Sequence, residues 1–228
     1  MVEDLFLKEI INITILSLRV SGTAVIIGAV IGIPVGTYLG FRQFKLKRTI
    51  MRLVDVMLKS LVNTFMGLPP VVVGLVVYLL LTASGPLGWL GLLYTPTAMV
   101  ITQLIMVVPI IIGVTMSAVA SVESSIRERA ISLGATENQA AWLVLRESRV
   151  GVLTSIIVAF GAAISEVGGI MISGGNIRWF TRTLTTAIVV ETELGNFSMA
   201  LTLGAILLSI AFAINLALTV LQLKSSRR

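Results

Sequence analysis

Residues 51–81 read MRLVDVMLKSLVNTFMGLPPVVVGLVVYLLL. Whether this stretch crosses a membrane once or twice decides the fold. Two crossings would place Asp55 and Lys59 in hydrocarbon, at about 2.5–3.5 kcal/mol each on insertion scales. They would also put the basic segments on either side of the stretch on opposite faces of the bilayer. One amphipathic helical lead-in, a break at Pro69-Pro70 and a single apolar span avoid both problems.

The surroundings fit that choice. The 228-residue chain is 56% hydrophobic and 12% charged, with a mean hydropathy of +1.01. Such values, with several apolar runs of about 20 residues, describe an all-α polytopic membrane protein. Five spans are expected: 13–39, one within 50–82, 97–119, 152–172 and 198–221. No internal repeat or linker interrupts them, so residues 1–228 read as one domain. The opening MVEDLFLKEI has no basic n-region, and no cleavable signal peptide is expected. The sequence has neither cysteine nor histidine. Disulfides, Cys/His metal sites and histidine-based acid–base pairs are therefore excluded, and no resident metal or cofactor is expected.

The net charge of +6 follows topology rather than nucleic acid. Arg42, Lys45, Lys47 and Arg48 cluster in FRQFKLKR (41–48); Arg127, Arg129, Arg146 and Arg149 lie in 124–149; Lys224, Arg227 and Arg228 close the chain. The positive-inside rule makes all three cytoplasmic, with the N-terminus outside and the C-terminus inside. The segment TASGPLGWLGLLYTPT (82–97) is uncharged and carries Trp89 and Tyr94, as an outer aromatic belt would.

Residues 124–149, SSIRERAISLGATENQAAWLVLRESR, hold seven charged side chains between long apolar runs. Ser125 with Glu128, and Thr136 with Gln139, have the spacing of capping boxes. Gly134 between them suits a left-handed helix end. The expected element is a helix, a glycine turn and a second short helix, suited to docking in a groove of another protein.

Within that stretch ERAISLG (128–134) resembles the EAA loop of ABC importer permeases. Glu128, Ala130 and Gly134 fit the pattern; Arg129 replaces its middle alanine, and Arg146 and Glu147 stand where Leu and Pro are usual. The first span, LPPVVVGLVVYLLL with SGPLG, AISEVGGIMISGGNI and TRTLTTAIVVETELGNFSMALTLGAILL extend the resemblance over nearly the whole chain. The last two stretches are most similar to tungstate-type permeases of the molybdate, tungstate and sulfate group. The resemblance implies a pore-forming subunit of an ATP-driven oxyanion importer in a prokaryotic cytoplasmic (inner) membrane. It implies a permease homodimer, two cytoplasmic ATPase subunits and an extracellular or periplasmic oxyanion-binding protein. Residues Glu128, Ala130, Gly134, Ala135, Thr136, Glu137 and Gln139 would then form a coupling-helix loop (about 120–149) between spans three and four. No G-x-x-x-x-G-K-[ST] pattern occurs, so ATP hydrolysis would belong to the partner and this subunit is expected not to be an enzyme.

Glu166 is the sole acid of the expected fourth span. Either it joins Gly168, Gly169, Gly174, Gly175 and Asn176 in a translocation path and gate, or it pairs with a neighbouring helix and fixes packing. Arg178 and Arg182, four apart, are expected on one helical face outside, as an oxyanion or binding-protein contact or as a solvated interfacial helix. Arg19 reads as an interfacial anchor. A permease for another small solute and a secondary carrier or channel remain the rival functions; a carrier would more usually show repeated halves and several midplane carboxylates.

Overall fold

A computed structural model of the chain describes residues 2–42 and 49–226. The basic residues at 45, 47 and 48 and the terminal Arg227 and Arg228 lie outside the described residues. Among the described residues the regular structure is helical, without strands: α1 (Val2–Arg42), α2 (Thr49–Met66), α3 (Pro70–Leu81), α4 (Pro96–Ser132), α5 (Glu137–Glu147), α6 (Arg149–Ile164), α7 (Gly168–Gly174), α8 (Leu184–Glu193) and α9 (Phe197–Ser226), with a 3-10 turn at Gly88–Leu90.

Among the described residues, three helices are long and apolar enough to cross a membrane alone: Phe6–Phe41, Pro96–Val122 and Phe197–Lys224. The number rises to five if the bent pairs α2/α3 and α5/α6 each count as one span. The α2/α3 bend, 91°, falls at the anticipated proline pair. Pro69 caps α3 with φ −62° and ψ 124°, and Pro70 takes the first helical position, where its missing N–H costs nothing.

Two expectations are corrected. No helix starts at Ser125, because α4 runs unbroken from Pro96 to Ser132. Neither glycine nor proline lies between Gly113 and Gly134, so nothing stops the preceding helix and the Ser125/Glu128 spacing is never used as a cap. The fourth span is not continuous either; α6 ends at Ile164 and α7 begins at Gly168.

The chain divides into two compact units, each assembled from three separate pieces. One comprises Ile27–Gly67, Val107–Ala159 and Ala217–Arg228. Here Gly28, Gly32, Gly36 and Gly40 form a stripe on α1 against Val107, Ile111, Ile112, Thr115 and Val119 of α4. Small residues four apart let two helices approach closely without hydrophobic driving force, as packing in lipid requires. The rising numbers on both sides show that these segments run in the same direction. Helix α6 runs the other way, with Gly151 against Ala118 and the Thr115 hydroxyl 3.1 Å from that of Ser155. The Gln222 amide donates to the Thr154 hydroxyl at 2.8 Å and ties the end of α9 to α6.

The other unit comprises Met1–Ile26, Leu68–Met106 and Phe160–Leu216. Its cores include Ile13, Leu184, Ala187, Met199 and Leu203, and Val20, Met99 and Ile170. The Leu184 N–H donates to the Ser17 hydroxyl at 2.8 Å, which itself donates to the Ile13 carbonyl at 2.8 Å. Helix α8 begins with a full capping box, Thr183 with Thr186.

Candidate functional site

The charged seam folds as a closed glycine turn between α4 and α5. Gly134 has φ +86°. Its N–H donates to the Ile131 carbonyl at 2.9 Å, and the Ala135 N–H donates to the Ala130 carbonyl at 3.0 Å. These are the two bonds of a Schellman motif, which satisfy carbonyls orphaned at the end of α4. Two residues on, Thr136 opens α5 with the anticipated capping box: the Thr136 N–H donates to Gln139 Oε1 at 2.8 Å and the Gln139 N–H to Thr136 Oγ1 at 3.4 Å. Arg127 Nη2 donates to both carboxylate oxygens of Glu137 at 2.7 and 2.6 Å, joining the two helices across the turn.

Glu128 lies exposed within α4 and caps no helix, whereas Ala130 is buried. Ala140 and Val144 of α5 are also buried, so the small-residue face points inward. Outward stand Glu137, Asn138, Gln139 and Trp142, the last 62% exposed, with Arg146 over its ring at 5.6 Å. Leu133 at the turn is 89% exposed. Beside it, a groove of about 650 Å³ is lined by Glu128, Arg129, Ser132 and Leu133. A rigid turn that exposes a leucine and a tryptophan among charges has the composition of an interface anchor rather than of a solvated loop.

In the unit formed by Met1–Ile26, Leu68–Met106 and Phe160–Leu216, Glu166 sits in the break between α6 and α7 and is only 6% exposed. Its Oε1 accepts the Gly169 N–H at 2.7 Å, and its carbonyl accepts the Thr185 hydroxyl at 2.7 Å. The Gln103 amide donates to the Ala163 carbonyl at 2.8 Å. Backbone freed by the break is thus paired inside the protein. Gly168 abuts Val71, Gly169 abuts Pro70 and Thr102, Gly174 abuts Met99 and Gly175 abuts Tyr94.

Asn176 and Trp179 have φ of 48° and 69°, which breaks any helix there; Arg178 lies in a turn and Arg182 just after it, rather than on one helical face. They converge instead on Glu9. Arg178 holds it bidentately, Nε at 2.8 Å and Nη2 at 2.6 Å, and Arg182 approaches it at 3.6 Å and Glu191 at 3.8 Å. Hydrogen bonding to Glu9 raises the Arg178 pKa above its already high ordinary value. Thr181, Thr183, Thr185 and Thr186 are buried, and their hydroxyls bond to the Gly174 carbonyl, to one another and to the Glu166 carbonyl. They are scaffold, not free donors. Glu9 was not anticipated; it stands beside Lys8 in the charged opening of α1, where nothing local sets it apart. Glu9→Ala is expected to lower stability by about 1–3 kcal/mol, the scale of hydrogen bonds to charged groups, with the lower end favoured because Arg178 is 56% exposed. Thermal unfolding in lipid nanodiscs reads the change, and an unaltered melting temperature would remove Glu9 from the scaffold around Arg178.

The family described as "binding-protein-dependent transport system inner membrane component" matches residues 32–228. The chain belongs to this family. A probable anion ABC transporter permease protein of Haloferax volcanii is 45% identical over 217 residues, covering 93% of this permease and 90% of that protein. The tungstate uptake system permease protein TupB of Peptoclostridium acidaminophilum is 40% identical over 217 residues, covering 95% and 92%. Among solved structures, one of inward-facing conformations of the MetNI methionine ABC transporter aligns with a TM-score of 0.75 over 96% of this permease and 97% of that chain. At 16% identity that likeness is one of fold. The permease is thus an all-helical inner membrane component with the ABC transporter permease fold.

Proposed function

We propose that the chain is the pore-forming subunit of an ATP-driven importer of a tetrahedral oxyanion, with tungstate as cargo. Two copies form the pore, each engages one cytoplasmic ATPase subunit, and an external binding protein delivers the anion. The observation that carries the reading is the doubly capped turn at Gly134, which presents Leu133 and Trp142 on a fixed frame. Ala130, Gly134, Ala135, Thr136, Glu137 and Gln139 build that frame, the last through the α5 cap, and Glu128 lines the groove beside it. Forty-per-cent identity to a tungstate uptake permease supports the cargo. The shared direction of α1 and α4, opposed by α6, supports alternating spans, with the N-terminus outside and the C-terminus inside by the positive-inside rule. The family match over 32–228 supports a single permease domain.

Glu166, Gly168, Gly169, Gly174, Gly175 and Asn176 belong to the translocation path. Arg178 and Arg182 shape the outer surface, with Arg178, the more exposed of the two, offered to the binding protein.

The chain has no cysteine, which makes cross-linking clean. Asn138→Cys is the best reporter, since Asn138 is exposed beside the Arg127–Glu137 pair without taking part in it. In native membranes this cysteine is expected to cross-link to a nucleotide-binding subunit identified by mass spectrometry. Efficient labelling of the same cysteine without any ATPase adduct would overturn the coupling assignment. Uptake of tungstate by the reconstituted assembly, with sulfate as competitor, tests the cargo.

A further inference from the structure

We propose that Glu166 is a positioning residue for transport: it latches the half-helix α7 at the break after α6, and α7 moves over α3 as the gating element. The inference rests on the translocation-path reading above and extends it to a named moving part.

The contact between α3 and α7 is backbone on backbone at Gly74 and Gly169, with the Val71 side chain set against Gly168. A Cβ placed on Gly74 would lie 2.6 Å from both Cα and the carbonyl oxygen of Gly169. A Cβ on Gly169 would lie 2.7 Å from the Pro70 carbonyl oxygen and 2.9 Å from Thr102 Cγ2. Close packing through glycines lacks the interdigitated side chains that make most helix contacts jump between discrete arrangements. Helix α7 can therefore shift along α3 with little beyond the Val71 side chain to repack at that seam.

On its other side Ile170 packs with Val20 and Met99, and polar bonds hold both ends of α7. At its C-terminal end the Thr181 hydroxyl donates to the Gly174 carbonyl at 2.6 Å and the Tyr94 N–H to the Ser173 carbonyl at 3.0 Å. At its N-terminal end the buried Glu166 carboxylate takes the Gly169 N–H, while Thr185 holds the Glu166 carbonyl. Glu166 thus fixes the first turn of α7 from one side and is itself fixed to α8 from the other. Next to it, Ser165 is exposed and bonds back to the Gly161 carbonyl at 2.7 Å, so a hydroxyl stands at the open face of the break.

Irregular backbone at membrane depth survives where it is buried in protein or lines a water-filled cavity. This break does the first through Glu166, Thr185 and Gln103, and its Ser165 face is where the second would apply.

The test uses the whole assembly, permease with ATPase and binding protein, in proteoliposomes. Cysteines at Val71 and Gly168 would have Cβ atoms 3.8 Å apart, inside the roughly 3.5–4.5 Å disulfide range. Oxidation of Val71→Cys/Gly168→Cys is expected to stop tungstate uptake and reductant to restore it; full uptake by the cross-linked protein overturns the moving-gate inference. Independently of cargo, Ser165→Cys alone is expected to react with a maleimide at different rates in nucleotide-free and vanadate-trapped complexes. Adding Glu166→Ala should erase that difference and lower the maximal uptake rate by about tenfold with KM unchanged, the scale of a lost charge-assisted hydrogen bond. Glu166→Gln keeps an acceptor for the Gly169 N–H and should restore both readouts. Equal labelling in the two states, or no rescue by glutamine, sinks the latch. A wild-type assembly that carries no tungstate sinks only the cargo, because the labelling needs none.

Discussion

Replacing Gly36 by leucine is expected to remove most of the folded permease from the membrane. A Cβ at Gly36 would lie 2.7 Å from the Ile112 carbonyl oxygen, 2.8 Å from Thr115 Cβ and 3.2 Å from Ile112 Cα. Two of those atoms are backbone of α4 and cannot turn aside as a side-chain tip can. The substitution must therefore drive α1 and α4 apart along the stripe that also holds Gly28, Gly32 and Gly40. Overpacking of a tight core costs about 1–3 kcal/mol, and a whole leucine against rigid backbone belongs at the top of that range. The loss should appear as a lower melting temperature and a smaller monodisperse peak after extraction. Gly22→Ala on the same helix is the control. A Cβ there meets nothing within 4 Å, so the change should be neutral, or stabilising by up to about 1 kcal/mol from helix propensity. Equal melting of the two variants would mean that α1 does not lie on α4 through its glycines.

Gly134→Val is expected to abolish ATP-coupled uptake while leaving the permease folded and inserted. The two effects separate because of where the strain lies. A Cβ at Gly134 has open space around it, so the valine collides with nothing distant. The penalty is in the backbone, whose φ of +86° costs an L-residue about 1–2 kcal/mol, and a β-branched one more. The cheapest relief is to undo the turn, which breaks the Ala135-to-Ala130 bond and turns α5 away from α4. The proposed ATPase grip would lose its shape although every span stays in place. Binding-protein-stimulated ATPase activity and uptake should both fall by at least about tenfold, the loss that 1.4 kcal/mol corresponds to, with normal protein levels. Gly134→Asn should retain much of the activity, since asparagine tolerates the left-handed region. Full uptake by the valine variant would show that the turn does not transmit anything.

Sequence alone reached the membrane class, the proline break before α3, the Gly134 turn and the Thr136/Gln139 cap. The first follows from composition, and each of the other three depends on residues within a few positions of one another. It erred where the deciding partner was distant or absent. Ser125 and Glu128 have cap spacing, yet an apolar helix with no breaker simply ran through them. The string from Val152 to Ile172 reads as one continuous span, and nothing local marks the interruption at Glu166. The bonds that make the break tolerable come from Gln103 and Thr185, far away in the chain. Arg178 and Arg182 kept helical spacing but lost the helix to positive φ at Asn176 and Trp179. Their actual partner, Glu9, is 169 positions from Arg178.

The turn at Gly134 has one more property. Its defining backbone bonds and its cap each span five residues or fewer, and its longest strap, Arg127 to Glu137, spans ten. Contacts that local close on the nanosecond-to-microsecond scale of single loops and helices, long before distant spans find one another. During synthesis this element can take its final form as soon as it leaves the ribosome, ahead of the last spans and of any assembled pore. The turn that frames the surface we assign to a separate protein thus draws its shape from its own neighbours in sequence, and only the buried face of α5, at Ala140 and Val144, waits for the rest of the fold.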